Sequence, residues 1–169
     1  MSMASVARNA PDAAGRENIE TRYLECLNLV ERLHRQLLDV IKDELERVGQ
    51  PDVNSVQALL LYNIGDQELT AGELRTRGHY LGSNVSYNLK KLVESGYIHH
   101  ARSEADRRSV RVKLTERGRA IRKIVAGLFD RHVALVQPTG GIDPQEIAAL
   151  NKTLIRLERF WSDQIRYRL

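Results

Sequence analysis

Asn84-Val85-Ser86-Tyr87-Asn88-Leu89-Lys90-Lys91-Leu92-Val93-Glu94-Ser95-Gly96-Tyr97-Ile98 starts with helical periodicity and ends with strand-forming residues, and that change of pattern decides the fold. Val85, Leu89 and Leu92 recur on one face at a 3.6-residue period, which predicts a helix over 83–94 anchored in a core. Ser95-Gly96 stops it. Its other faces carry Ser83, Asn84, Ser86, Tyr87, Lys90 and Lys91. Such a set can lie flush in a DNA major groove. There Asn and Ser bond base edges, Lys reaches guanine or phosphate, and a tyrosine ring packs on a thymine methyl. The plainer reading is a solvated surface helix, because exposed Ser, Asn and Lys are common.

The flanking sequence favours the first reading. Upstream, Thr70-Ala71-Gly72-Glu73 has the spacing of a capping box and opens a short helix to about Arg77. The connection Gly78 to Gly82 joins it to the helix at 83–94, which makes a helix-turn-helix. Downstream, Tyr97–Arg102 and Ser109–Leu114 read as strands; in the second, Val110, Val112 and Leu114 alternate with Arg111 and Lys113. The turn between them holds Asp106-Arg107-Arg108, which suits the tip of a wing. An arginine at such a tip can enter the narrow, electronegative minor groove. Asp106 can fix the direction of Arg108 by a charge-assisted hydrogen bond. The plainer reading is a solvated turn with a local ion pair.

Further out, the chain is helical. Ile19, Tyr23, Cys26, Val30, Leu33, Leu37, Ile41, Leu45 and Val48 recur every three or four residues, predicting one long amphipathic helix that Gly49-Gln50-Pro51 ends. A second helix is expected from Val53 to Ile64, followed by a Gly65-Asp66 turn. Thr115 caps a helix to about Val136, which Pro138, Gly140 and Gly141 break. Asp143-Pro144-Gln145-Glu146 supplies a cap, an N1 proline and a capping glutamate for a last helix. That helix carries Ile147, Leu150, Leu154, Leu157, Trp161 and Ile165 on one face. The expected fold is mainly α with a small β-hairpin wing, a winged helix-turn-helix flanked by long N- and C-terminal helices. The expected organisation is a flexible arm at 1–18, an N-terminal helix at 19–52, the winged helix-turn-helix at 53–118 and C-terminal helices at 119–169.

Charge follows the same division. Residues 66–125 hold thirteen Lys/Arg against seven Asp/Glu, whereas residues 1–65 hold seven against ten. A basic centre between less basic flanks is the electrostatic footprint of a nucleic-acid face. No apolar run approaches the roughly 20 residues of a bilayer span. The first fifteen residues lack the apolar stretch of a signal peptide and read as a disordered lead-in. One cysteine, Cys26, excludes an internal disulfide framework and suits a reducing cytoplasm.

The runs Thr70-Ala71-Gly72-Glu73-Leu74, Asn84 to Ile98 and Asp106-Arg107-Arg108-Ser109-Val110-Arg111-Val112-Lys113-Leu114-Thr115-Glu116-Arg117-Gly118 resemble the MarR family of bacterial regulators. The resemblance is good over 53–120, and its most specific part is Leu114-Thr115-Glu116-Arg117-Gly118. It implies a homodimer built from the N- and C-terminal helices, a palindromic double-stranded DNA operator, and often a small-molecule or oxidant signal that releases the DNA. Carried onto this sequence, the recognition positions are Ser83, Asn84, Ser86, Tyr87 and Lys90, and the wing pair is Asp106 and Arg108. Tyr87 stands where the family often has Arg or Pro. Lys91, Arg107 and Arg111 complete the expected DNA-binding set.

Three kinds of signal are open. The effector pocket that the resemblance implies would draw on His34, Leu37, Tyr62 and Phe129, although aromatic and Leu positions at helical spacing are more often core. Redox sensing would use Cys26, but it follows Glu25 on the apolar face, and its one favourable charge is Arg22. Metal sensing has no ligand-spaced cluster, and the adjacent His99 and His100 point to opposite faces of a strand. Neither a cofactor nor an enzymatic activity is expected, since nucleophile elbow, P-loop and dinucleotide motifs are all missing from the sequence. The alternative from another class is a helical protein-interaction protein that does not bind DNA, against which the basic wing argues.

Overall fold

The computed structural model describes the backbone of residues 13–70, 73, 82–102 and 110–167, and the side chains of 18–70, 73, 86–100 and 111–167. The chain divides into two compact units, Met1–Val56 and Gln57–Leu169.

The first unit is dominated by one helix, α1 (Ala13–Arg47). Residues 13–18, expected to belong to a flexible arm, are therefore helical. Good helix formers (Ala13, Ala14, Arg16 and Glu17) extend α1 past its first apolar-periodic residue. Its apolar stripe changes character along its length. Ile19 and Leu33 are exposed and Tyr23, Cys26 and Val30 half-buried, whereas Ile41 and Leu45 are buried. Glu44 is also buried, and Arg47 satisfies it with two hydrogen bonds of 2.9 and 2.7 Å. Gly49, at φ +71°, takes the left-handed conformation that ends the helix, and Gln50 N–H donates to the Leu45 carbonyl.

The second unit begins within α2 (Ser55–Ile64), whose Ala58, Leu60, Leu61 and Ile64 are buried. A two-residue strand, β1 (Leu69–Thr70), follows. Next come α3 (Gly82–Glu94), β2 (Ile98–Arg102), β3 (Val110–Leu114), α4 (Glu116–Val136) and α5 (Pro144–Tyr167). Among the described residues there are thus five helices and one antiparallel sheet of order β1-β3-β2. The sheet is larger than the hairpin the sequence predicts, because β1 adds to the far edge of β3. Leu69 lies opposite Val112, and Ile98 opposite Leu114. All four side chains are buried, so they form the inner face of the sheet. Leu92 of α3 and Ile121, Val125 and Leu128 of α4 complete the core of this unit.

The caps read from sequence are present. Thr70 and Glu73 exchange the two bonds of a capping box, Thr70 N–H to the Glu73 carboxylate at 2.7 Å and Glu73 N–H to the Thr70 hydroxyl at 3.1 Å. The rest of the short helix expected to Arg77 lies outside the described residues. Thr115 caps α4 by accepting from Gly118 N–H. Asp143 caps α5 by accepting from Gln145 and Glu146 N–H, and Glu146 reciprocates to Asp143 N–H at 2.9 Å. α5 runs for 24 residues without burying one of them.

Candidate nucleic-acid interface

The site is built on α3. Leu92 holds the helix in the core at 1% exposure, and Leu89 is half-buried on the same side. Ser86, Tyr87, Lys90 and Lys91 are exposed. Tyr87 is 62% exposed, so its ring contributes little to the core and is available to a partner. Tyr87 precedes Lys90 and Lys91 by three and four residues, and Glu94 follows them by four and three, which makes the four one stripe along the helix. Ser83 and Asn84 occupy the first turn of α3, and their side chains lie outside the described residues.

The sheet carries the second part. Arg111 and Lys113 are exposed on β3, while Val112 and Leu114 between them are buried. Arg111 pairs with Ala101 of β2 and Thr70 of β1. Asp106, Arg107 and Arg108, expected at the wing tip, lie outside the described residues. His99 and His100 face Lys113 and Val112 across the ladder and, as neighbours on a strand, point to opposite faces. A cavity of about 450 Å³ lies between α3 and the sheet, where Leu89 and Val93 meet His100 and Val112.

Sequence reading missed Glu94. Its carboxylate lies 3.9 Å from the Lys90 ammonium and 3.3 Å from that of Lys91. Both basic side chains of the stripe are therefore held by one acid while the protein is free. Such exposed pairs are worth at most about 1 kcal/mol, so a phosphate can replace the carboxylate at little cost. The signal was present in the Lys90-Lys91-x-x-Glu94 spacing.

The sequence also concealed the joint behind α3. Gly96, at φ +74°, ends the helix, and Tyr97 N–H donates to the Leu92 carbonyl. Arg117, in the first turn of α4, donates to the Ser95 carbonyl at 2.9 Å and the Tyr97 hydroxyl at 3.1 Å. Thr115 donates its hydroxyl to the Gly96 carbonyl at 2.8 Å. Arg119 bonds the Leu114 carbonyl and the Glu116 carboxylate, and that second contact holds the Glu116 carboxyl below its usual range. Arg122 pairs with Asp66 at 2.9 Å, tying α4 to the turn after α2.

The candidate signal residues are distributed as follows. Tyr62 and Phe129 meet edge to face, with ring centroids 5.0 Å apart, and His132 lies 6.4 Å from the Phe129 ring. His34 is exposed and Leu37 half-buried, both on α1 in the other compact unit. Cys26 is half-buried, and Arg22, its favourable charge, is paired with Glu25 at 3.7 Å. Among the described residues, none of the His, Cys, Asp and Glu side chains group to hold a metal. No helix there is long and apolar enough to cross a membrane.

Residues 53–118 match a family described as a winged helix DNA-binding domain. The exopolysaccharide II synthesis transcriptional activator ExpG of Rhizobium meliloti (strain 1021) is 36% identical over 162 residues, covering 92% of this chain and 79% of that protein. The crystal structure of Streptococcus pneumoniae FabT in complex with DNA aligns with a TM-score of 0.64 at 25% identity, over 83% of this chain and 98% of FabT. AbsC from Streptomyces coelicolor aligns with a TM-score of 0.64 at 20% identity, over 82% of this chain and 93% of AbsC, a likeness of fold alone.

Proposed function

Because the chain belongs to the MarR family of winged helix-turn-helix transcriptional regulators, we propose that it binds a palindromic operator as a homodimer. It is a DNA-binding transcriptional regulator, a class whose members are not enzymes. In the proposed complex α3 enters the major groove and the wing reaches the minor groove at the edge of each half-site. The observation that carries this reading is the outer face of α3, where the exposed Tyr87 ring stands beside Lys90 and Lys91 on a helix anchored by Leu92. The likeness to FabT, whose structure contains DNA, supports the same partner here. The cytoplasm, where such an operator is found, is its place of work.

A second copy of the chain is the proposed partner of α5. Leu150, Leu154, Ile155, Phe160 and Ile165 are all exposed on it, more apolar surface than a monomer keeps in water. A small-molecule signal is proposed to release the operator, and the Tyr62–Phe129 ring pair is its proposed contact. Redox sensing gains no support, since the charge that would activate Cys26 is already paired.

The test separates positioning contacts from reading contacts. Lys91→Ala or Arg111→Ala is expected to weaken binding to every duplex alike and to flatten the salt dependence by about one counterion. Tyr87→Ala is expected to cost roughly 1–3 kcal/mol on the operator and much less on random duplex. Fluorescence anisotropy at two salt concentrations measures both. Equal losses on the two duplexes would remove Tyr87 from the base-reading set.

The wing makes a sharper prediction about sign. Arg108→Ala is expected to lower DNA affinity without changing dimerisation or thermal stability, and Arg108→Lys to recover part of the loss, because lysine keeps the charge and not the planar fork. Asp106→Ala removes a negative charge near phosphates, so simple electrostatics calls for tighter binding. If Asp106 orients Arg108, binding weakens instead. The same titration decides, and tighter binding at both salt concentrations would reduce Asp106 to a turn residue.

A further inference from the structure

α3 and α4 meet at a joint whose side-chain ties are made by none of the residues of the DNA-facing stripe. Tyr97, the first residue after the turn that ends α3, is 2% exposed, and its carbonyl accepts from Thr115 N–H at 3.1 Å. Arg117 straddles this residue. Its guanidinium lies 4.5 Å from the Tyr97 ring centroid, one nitrogen donates to the Tyr97 hydroxyl, and another donates to the Ser95 carbonyl. The Ser95 and Gly96 carbonyls follow the last turn of α3, and Arg117 and Thr115 take one each. The C-terminal end of α3 is thereby fastened to the first turn of α4. α4 continues for 21 residues, about 30 Å, to the exposed Val133, Leu135 and Val136.

From this geometry we propose that Arg117 is a positioning residue that sets the direction of α3 relative to α4, and so the distance between operator half-sites that the protein accepts. The inference rests on the reading of the protein as a dimer on a palindromic site. A two-fold dimer reads half-sites about one helical turn apart only if its two recognition helices are held at fixed separation and angle. Leu92 and the half-buried Leu89 resist withdrawal of α3 from the core, but apolar burial is non-directional and leaves small rotations of the helix cheap. Arg117 opposes that rotation through a planar fork and a ring stack, two directional contacts that a lysine reproduces only in part. Its fork bonds Ser95 and Tyr97 across the joint, whereas Lys90 and Lys91 of the DNA-facing stripe pair with Glu94 on their own helix.

The experiment uses the full chain. An operator is selected from a randomised duplex library with the wild type. Derivatives carrying one or two base pairs inserted or deleted at the centre are then titrated. The wild type is expected to lose about tenfold or more in affinity for each change of spacing. Arg117→Gln is expected to lose less than about threefold, while binding random duplex within about threefold of wild type, and Arg117→Lys is expected to fall between. Tyr97→Phe deletes only the hydroxyl that Arg117 bonds, and is expected to relax the spacing preference in the same direction should Arg117→Gln fail to fold. Thermal unfolding of each variant separates lost stability, which does not alter a spacing profile, from lost direction. Retention of the full wild-type discrimination by Arg117→Gln, or by Tyr97→Phe in its place, overturns the role of Arg117 and leaves the dimer reading intact. A wild type that selects a site but tolerates every spacing overturns the dimer reading and the inference together.

Discussion

Leu154→Asp combined with Leu157→Asp is expected to convert the protein to monomers and to lower operator affinity by about a hundredfold or more. α5 is amphipathic over 24 residues and buries none of them, with Leu150 at 49%, Phe160 at 50% and Ile165 at 80% exposure. An apolar side chain gains about 1.5–3 kcal/mol when buried, so the stripe is a strong drive to pair with a second copy. Two carboxylates placed inside that contact would lose hydration with no partner, at a cost exceeding the leucine contribution they replace. The loss of affinity follows from geometry. A dimer binds its second half-site as an intramolecular event, whereas a monomer must find each half-site from solution. Sedimentation velocity at micromolar concentration gives the assembly state, and anisotropy gives the affinity. A wild type that sediments as a monomer would overturn the dimer reading, and a double variant that remains dimeric would place the subunit contact elsewhere.

The parts of this architecture that were legible in the sequence are those specified by local chemistry. The helices at 82–94, 116–136 and 144–167 each combine a 3.6-residue apolar period with a cap or a stop within four residues in sequence. β3 was legible because Arg111 and Lys113 alternate with Val112 and Leu114. β1 was not, since two residues cannot show alternation, and its pairing with β3 closes across about forty residues of chain. The early start of α1 at Ala13 was missed because the apolar period begins only at Ile19, although Asp12, a residue type that caps helices, precedes Ala13 in the sequence. In the candidate site, periodicity placed Tyr87, Lys90 and Lys91 outward, and the structure agrees. It could not show the contact between Arg117 and Ser95, which lie 22 residues apart. Leu114-Thr115-Glu116-Arg117-Gly118 stood out in the sequence as a motif, and its physical reason is tertiary. Thr115 caps one helix and binds the end of another, Arg117 bridges the same two elements, and Gly118 lets them approach.

That last role makes a prediction with an internal control in the same helix. Gly118→Ala is expected to destabilise the protein by about 2–3 kcal/mol, lowering the melting temperature by about 5–10 °C. A Cβ at this position would press into the Tyr97 carbonyl oxygen, 3.2 Å from the carbonyl carbon and 3.4 Å from Leu114 Cβ. The obstacle is backbone, so no rotamer change relieves it. The Tyr97 carbonyl is also the acceptor for Thr115 N–H, so moving it away weakens the bond that joins the two segments. Gly127 lies further along α4, where an added Cβ meets only the end of the Arg131 side chain at 3.8 Å. There alanine fits without strain and removes the entropic cost of glycine in a helix interior, so Gly127→Ala is expected to stabilise by about 0.5–1 kcal/mol. The same substitution, nine residues apart on one helix, should therefore shift the melting temperature in opposite directions. Thermal unfolding by circular dichroism at matched protein concentration reads both. If Gly118→Ala melts at or above the wild type, the segments are not in the close contact described, and the joint between α3 and α4 is looser than its hydrogen bonds indicate.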